Sequence, residues 1–129
     1  MQPYTMALFG AAERGEFHSL LAIHSLAELE EKLGQPPAGS RGIDFAIQAL
    51  MYNRRVFFFR VEDEGFSKND YYEGFKLLFA LKEHLGNMSA LCLPGVGDPN
   101  IIEATDPILS LYRGSLITTE QDLYDYLTN

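Results

Sequence analysis

The stretch RVFFFRV, Arg55 to Val61, constrains this chain more than any other. Aromatic and β-branched residues crowd its seven positions, so it reads as a strand that is apolar on both faces. Such a strand needs cover on both sides of its sheet, and sheets covered on both sides are mostly parallel. Four further stretches read as strands. Tyr4–Phe9 stops at Gly10, His18–Ile23 contains LLAI, Ser89–Leu93 ends at Pro94, and Ser115–Thr118 is the short SLIT.

Helical patterns lie between most of these strands. SLAELEEKLG places Ser25 and Glu28 at capping-box spacing and ends at Gly34, a C-terminal cap. In IDFAIQALMYN, Ile43, Ile47, Leu50 and Met51 share one side at helical spacing. The run from Ser67 to Leu85 carries Tyr71, Phe75, Leu78, Phe79 and Leu81 or Leu85 inward. In DPNIIEATDPILSLYRG, Asp98 caps a helix with Pro99 in its first turn, and Asp106-Pro107 breaks or restarts it. TEQDLYDYLTN ends the chain as a helix capped by Thr119. GQPPAGSRG, Gly34 to Gly42, holds too many prolines and glycines for a helix or central strand and reads as a long loop.

The alternation of strand and helix after residue 55 points to right-handed crossovers. The expectation is a single-domain, Rossmann-like three-layer α/β/α sandwich over residues 1–129, with about five strands, mostly parallel. Only about eight residues, Gly10 to Phe17, join the first two strands, too few for a parallel crossover. Those two therefore form an antiparallel hairpin or lie apart, which leaves room for an antiparallel strand near the N-terminus.

Charge narrows the partners. The formal net charge of -8 repels phosphate backbones and anionic lipid, so neither nucleic acid nor membrane is expected as a partner. No apolar run approaches the roughly 18 residues of a membrane span, and MQPYTMALFG lacks the make-up of a signal peptide. The single cysteine, Cys92, has no partner for a disulfide and sits in an apolar run, as a small core residue does. These features together fit a cytoplasmic protein.

In an open α/β sheet, ligands bind outside the carboxyl ends of the parallel strands. EDEGFS (Glu62–Ser67), PGVGDP (Pro94–Pro99) and TTEQ (Thr118–Gln121) fall there, and GAAERGE (Gly10–Glu16) joins them if the first strand runs the same way. In LCLPGVGDPNII, Gly95 and Gly97 let the backbone approach an anionic ligand at a helix start. Against that, Asp98 already caps the helix and would repel a phosphate, which favours a tight turn. Arg14, between Gly10 and Gly15, could hold an anion in the crevice or form a surface ion pair with Glu13. Thr119 stands at the third strand end as a further ligand contact. The carboxylates of EDEGFS, Asp63 among them, suit acid–base work or Mg²⁺, or form a solvated acidic loop. His18 and His24, six apart about a strand, point to one face if that strand is regular, and no Cys or His spacing suits zinc. No metal site or cofactor is assigned.

Glu73-Gly74 lies inside a helix, where glycine costs about 1 kcal/mol relative to alanine. Close packing of helix on sheet would account for it. The stretch DEGFSKNDYYEG also resembles the acidic, glycine-containing segment of nucleoside deoxyribosyltransferase-like proteins. That resemblance implies that Glu73 attacks an N-glycosidic carbon. SLAELEEKLG with FAIQALMYNRRVFFFRVED resembles in cadence one segment of phage tail-sheath proteins, a likeness that brings no function with it.

Two readings follow. The first is a module that binds a small molecule or a protein partner without turnover. A homodimer built on the tyrosine-rich terminal helix, with Leu123, Tyr124 and Leu127, belongs to it. The second is an enzyme acting on a nucleotide or ribosyl substrate, with Arg14 holding an anionic group and Glu62, Asp63 or Glu73 supplying the chemistry. It requires the acidic loop, Arg14 and Asp98 to converge on one crevice.

Overall fold

The computed structural model describes residues 5–129. Its centre is a five-stranded mixed sheet: β1 (Thr5–Gly10), β2 (Leu20–Ile23), β3 (Arg55–Arg60), β4 (Ala90–Cys92) and β5 (Ser115–Ile117), in the order β2-β3-β1-β4-β5. β1 pairs in parallel with β3 and β4, and β4 with β5, while β2 runs antiparallel to β3. The first two strands thus lie apart, with β3 between them, and the second is the antiparallel one. Tyr4, the expected start of the first strand, lies outside the described residues.

Period-two alternation divides the strands between two apolar layers. Met6, Leu8, Val56, Phe58, Ala90, Cys92 and Ile117 face one side, against α1 (Leu26–Leu33), α2 (Gly42–Met51) and α7 (Glu120–Thr128). Ala7, Phe9, Phe59 and Leu91 face the other, against α3 (Lys68–Ala80), α5 (Pro99–Ala104) and α6 (Asp106–Tyr112). The sandwich therefore has three layers, as the doubly apolar RVFFFRV requires.

The caps follow the local chemistry. Ser25, Asp98 and Thr119 accept from the backbone N–H of Glu28, Asn100 and Asp122 at the starts of α1, α5 and α7. Glu28 does not close the capping box, because its carboxylate turns to Lys32 (2.8 Å) and His24 (3.4 Å). Asp106-Pro107 restarts the chain as α6.

Three expectations are corrected. In α2 Ile43, Ile47 and Leu50 pack on the core as expected, joined by the buried Phe45, Ala46 and Ala49, but Met51 is 68% exposed at the helix end. The long helix from Ser67 ends at Ala80 and continues only as the short α4 (Lys82–Leu85), leaving Phe79 half-exposed. His18 lies before β2 in the left-handed region (φ 64°), so the strand regularity that would align it with His24 does not extend that far.

Candidate functional site

The connections leaving β1 and β4 run to opposite faces of the sheet, so the strand order switches between these two neighbours. That is where such sheets open a ligand crevice. Here the loop after β3 is laid across the opening. Glu64 turns its carboxylate inward. Oε1 accepts from Ala11 N (2.9 Å) and Gly42 N (3.0 Å), and Oε2 from Arg41 N (2.5 Å). Two of these donors open helix α2, whose N-cap Arg41 supplies no side-chain acceptor. An uncapped helix start needs an acceptor from elsewhere and favours a negative charge. Glu64 supplies both.

The rest of the loop is equally fixed. Gly65 (φ 92°) lies so close to the β4 loop that a Cβ would stand 2.5 Å from Gly95 O. Its N–H donates to Tyr71 Oη (2.7 Å), and burial pushes that phenol well above its ordinary range. Asp63 O accepts from Phe66 N and Ser67 N (2.9 and 3.0 Å), Ser67 Oγ accepts from Asp63 N (3.2 Å), and Asp70 Oδ2 accepts from Glu62 N (2.8 Å). EDEGFS is therefore an ordered turn that leaves Glu62 and Asp63 solvated while Glu64 turns inward. Phe66, at its tip, is 73% exposed.

The stretch after β4 is a tight turn. Val96 N donates to Leu93 O (3.2 Å), with Pro94 and Gly95 (φ 80°) between them, the pairing that a turn needing a left-handed third residue selects. Val96 is tucked into the core, whereas Gly97 has open space around it. Asp98 caps α5 and meets Lys68 Nζ (3.2 Å), and its pKa is held below the ordinary range, first by the Asn100 N–H and then by Lys68. Thr119, the cap of α7, adjoins Glu120, which pairs with Arg41 (3.0 Å) across the mouth of the crevice.

Of the residues singled out in the sequence, Gly95, Asp98 and Asp63 lie on loops that meet at the strand ends. Arg14 does not join them. Its guanidinium donates to Glu31 O (3.0 Å) and Glu30 O (2.8 Å), closing the C-terminal end of α1. Glu73 projects from α3 towards the β1–β2 loop, where it is hydrogen-bonded to His18 Nδ1. Arg60 organises that same loop, donating to Gly15 O (2.7 Å) and Ala12 O (3.0 Å) beneath the Phe17 ring. Among the described residues no three His, Cys, Asp or Glu side chains gather as a metal ion would need.

Glu64, Arg41 and Gly42 carry the centre of this arrangement, and no short motif announces them. The available signal was the helix start SRGIDF, whose Arg41 and Gly42 have no capping side chain. No family model, no curated protein and no solved structure matches the chain.

Proposed function

We propose that the chain is a module that binds another protein chain without turnover, using its outer surface and not the crevice at the strand ends. The observation that carries this reading is the Glu64 carboxylate. It takes the N–H groups of Ala11, Arg41 and Gly42, the donors an anionic small ligand would use, and it brings a negative charge to the same point. Gly65 against Gly95 leaves the crossing loop no slack. Exposed Phe66 and Tyr124 add apolar surface of the kind protein contacts use. A homodimer remains one form of such binding, though on α7 it would use Tyr124, since Leu123 and Leu127 are packed in the core.

The enzyme reading needs Arg14 free for an anion, whereas that guanidinium closes α1. A thermal-shift screen of the protein against nucleotides, sugar phosphates and Mg²⁺ separates the readings. The expected result is an unchanged midpoint throughout. A saturable stabilisation of about 2.7 kcal/mol at a hundredfold excess over the dissociation constant, abolished by Asp63→Ala, would establish a strand-end ligand site and overturn the proposal.

A further inference from the structure

The sheet has two edges, and the chain treats them differently. At the β2 edge, Lys32 reaches from α1 to the Ala22 carbonyl (3.3 Å), while Glu28 holds the same ammonium (2.8 Å). A lysine laid along an edge strand discourages pairing with another chain. Among the described residues no lysine bonds to the β5 edge. Ser115 N donates to Ser89 O (3.0 Å) and Ile117 O accepts from Leu93 N (2.7 Å), so these two residues face β4. Leu116, between them, turns its own N–H and C=O outward.

A cavity of about 440 Å³ runs beside that edge, between Ser115–Ile117 and one flank of α7, where Asp122, Asp125 and Tyr126 line it. Asp122 accepts from Thr118 N (3.2 Å) and Asp125 from Gln121 Nε2 (2.9 Å), and neither carboxylate forms an ion pair among the described residues. Open backbone groups and the two carboxylates therefore share the groove, with the Arg54 guanidinium 5.3 Å over the ring of Tyr126, one of its lining residues.

We infer that the β5 edge accepts an extended, basic segment of another protein as a sixth strand, with a Lys or Arg side chain set into the cavity against Asp122 and Asp125. Strand addition supplies affinity through main-chain hydrogen bonds and selectivity through alternate side chains. Ile117 faces the α7 layer, so every second side chain of an added strand enters the acidic groove. A second copy's own β5 edge fits poorly, because it would set Asp122 and Asp125 against their duplicates. The inference rests on the partner-binding reading above and names its surface.

The probe is a fluorescently labelled heptapeptide of alternating valine and lysine, compared with its valine–glutamate counterpart by anisotropy. The lysine peptide should bind saturably and the glutamate peptide should not. Asp125→Asn, which disturbs only a surface bond to Gln121, should weaken binding about fivefold. Methylating alternate amides of the peptide, which leaves the protein untouched, should weaken it about fivefold or more. Failure of the lysine peptide to bind, or binding indifferent to both changes, overturns the inference. So does a dimer, seen by light scattering, whose formation excludes the peptide. A positive nucleotide screen would instead defeat the partner-binding reading, whatever the peptide does.

Discussion

Gly10 at the end of β1 and Gly42 at the start of α2 meet backbone to backbone: a Cβ on either would stand 2.8 Å from the Cα of the other. Glu64 Oε1 would lie 2.9 and 2.8 Å from those same two Cβ positions. Strand end, helix start and carboxylate thus form one contact, and each glycine is needed for the other two to approach. Alanine at either position must move backbone, not a flexible side chain. Gly10→Ala and Gly42→Ala should each destabilise by about 1–3 kcal/mol, read as a lowered urea midpoint at unchanged slope. Unchanged midpoints would mean that the helix start has freedom the close contact denies it.

Removing the carboxylate tests the same junction from the other side. Glu64→Ala leaves the N–H groups of Ala11, Arg41 and Gly42 without their acceptor, and hydrogen bonds to a charged group are the stronger kind. The expected cost is about 2–4 kcal/mol, with Glu64→Gln intermediate because it keeps one oxygen but turns an NH₂ towards donors. Hydrogen exchange at Gly42 and Ala11 should quicken in both variants. Protection equal to wild type would show that water replaces Glu64 at no cost.

Gly74 sets intrinsic propensity against packing. Alanine there should favour the helix by about 1 kcal/mol, yet its Cβ would drive into the Phe9 ring. Phe9 cannot withdraw, because Phe59, Phe75 and Tyr71 surround it at 5.0, 5.4 and 5.6 Å between ring centres. Gly74→Ala should therefore destabilise by about 1–3 kcal/mol net. Gly97→Ala, with nothing within 4 Å of its Cβ position, should stay within about 0.5 kcal/mol of wild type. A stabilised Gly74→Ala would show that the ring cluster yields.

The elements that local chemistry specifies were legible in the sequence. RVFFFRV required cover on both faces, and Ser25, Asp98 and Thr119 cap the helices that follow them. The close packing expected of Gly74 is present against Phe9. What was hidden depends on tertiary partners. EDEGFS looks like a solvated acidic loop until Glu64 is brought to a helix start 22 residues away in the chain. Arg14 does lie beside Glu13 (3.9 Å), the surface ion pair the sequence allowed, but its hydrogen bonds to the end of α1 could not be read there. Periodicity also misplaced Met51 and Phe79, both of which lie in the last turn of their helices and stay exposed.

Cys92 offers a check on the core. The thiol is wholly buried in β4 between α2 and α7, and that burial pushes its pKa well above the ordinary value. Native protein should therefore resist a thiol reagent such as DTNB at neutral pH and react with one equivalent only on unfolding. The rate should follow the unfolding equilibrium as urea is raised. Fast labelling of folded protein would show that this layer opens locally.

Acid should loosen the start of α5 before the core gives way. The Asn100 N–H, then Lys68, hold the Asp98 pKa below its ordinary value of 3.8. A carboxylate whose folded pKa is depressed contributes stability above its unfolded pKa and loses it as pH falls through the folded one. The contribution should thus be constant at neutral pH and fade below 3.8. Asp98→Asn retains a side chain that caps helices but cannot ionise. The difference in urea midpoint between wild type and this variant should therefore shrink as pH falls through that window. The exposed position makes the effect small, so the pH dependence of the difference is the quantity to measure. A difference that stayed the same down to the acid transition would mean that the Asp98 charge adds nothing beyond the cap itself.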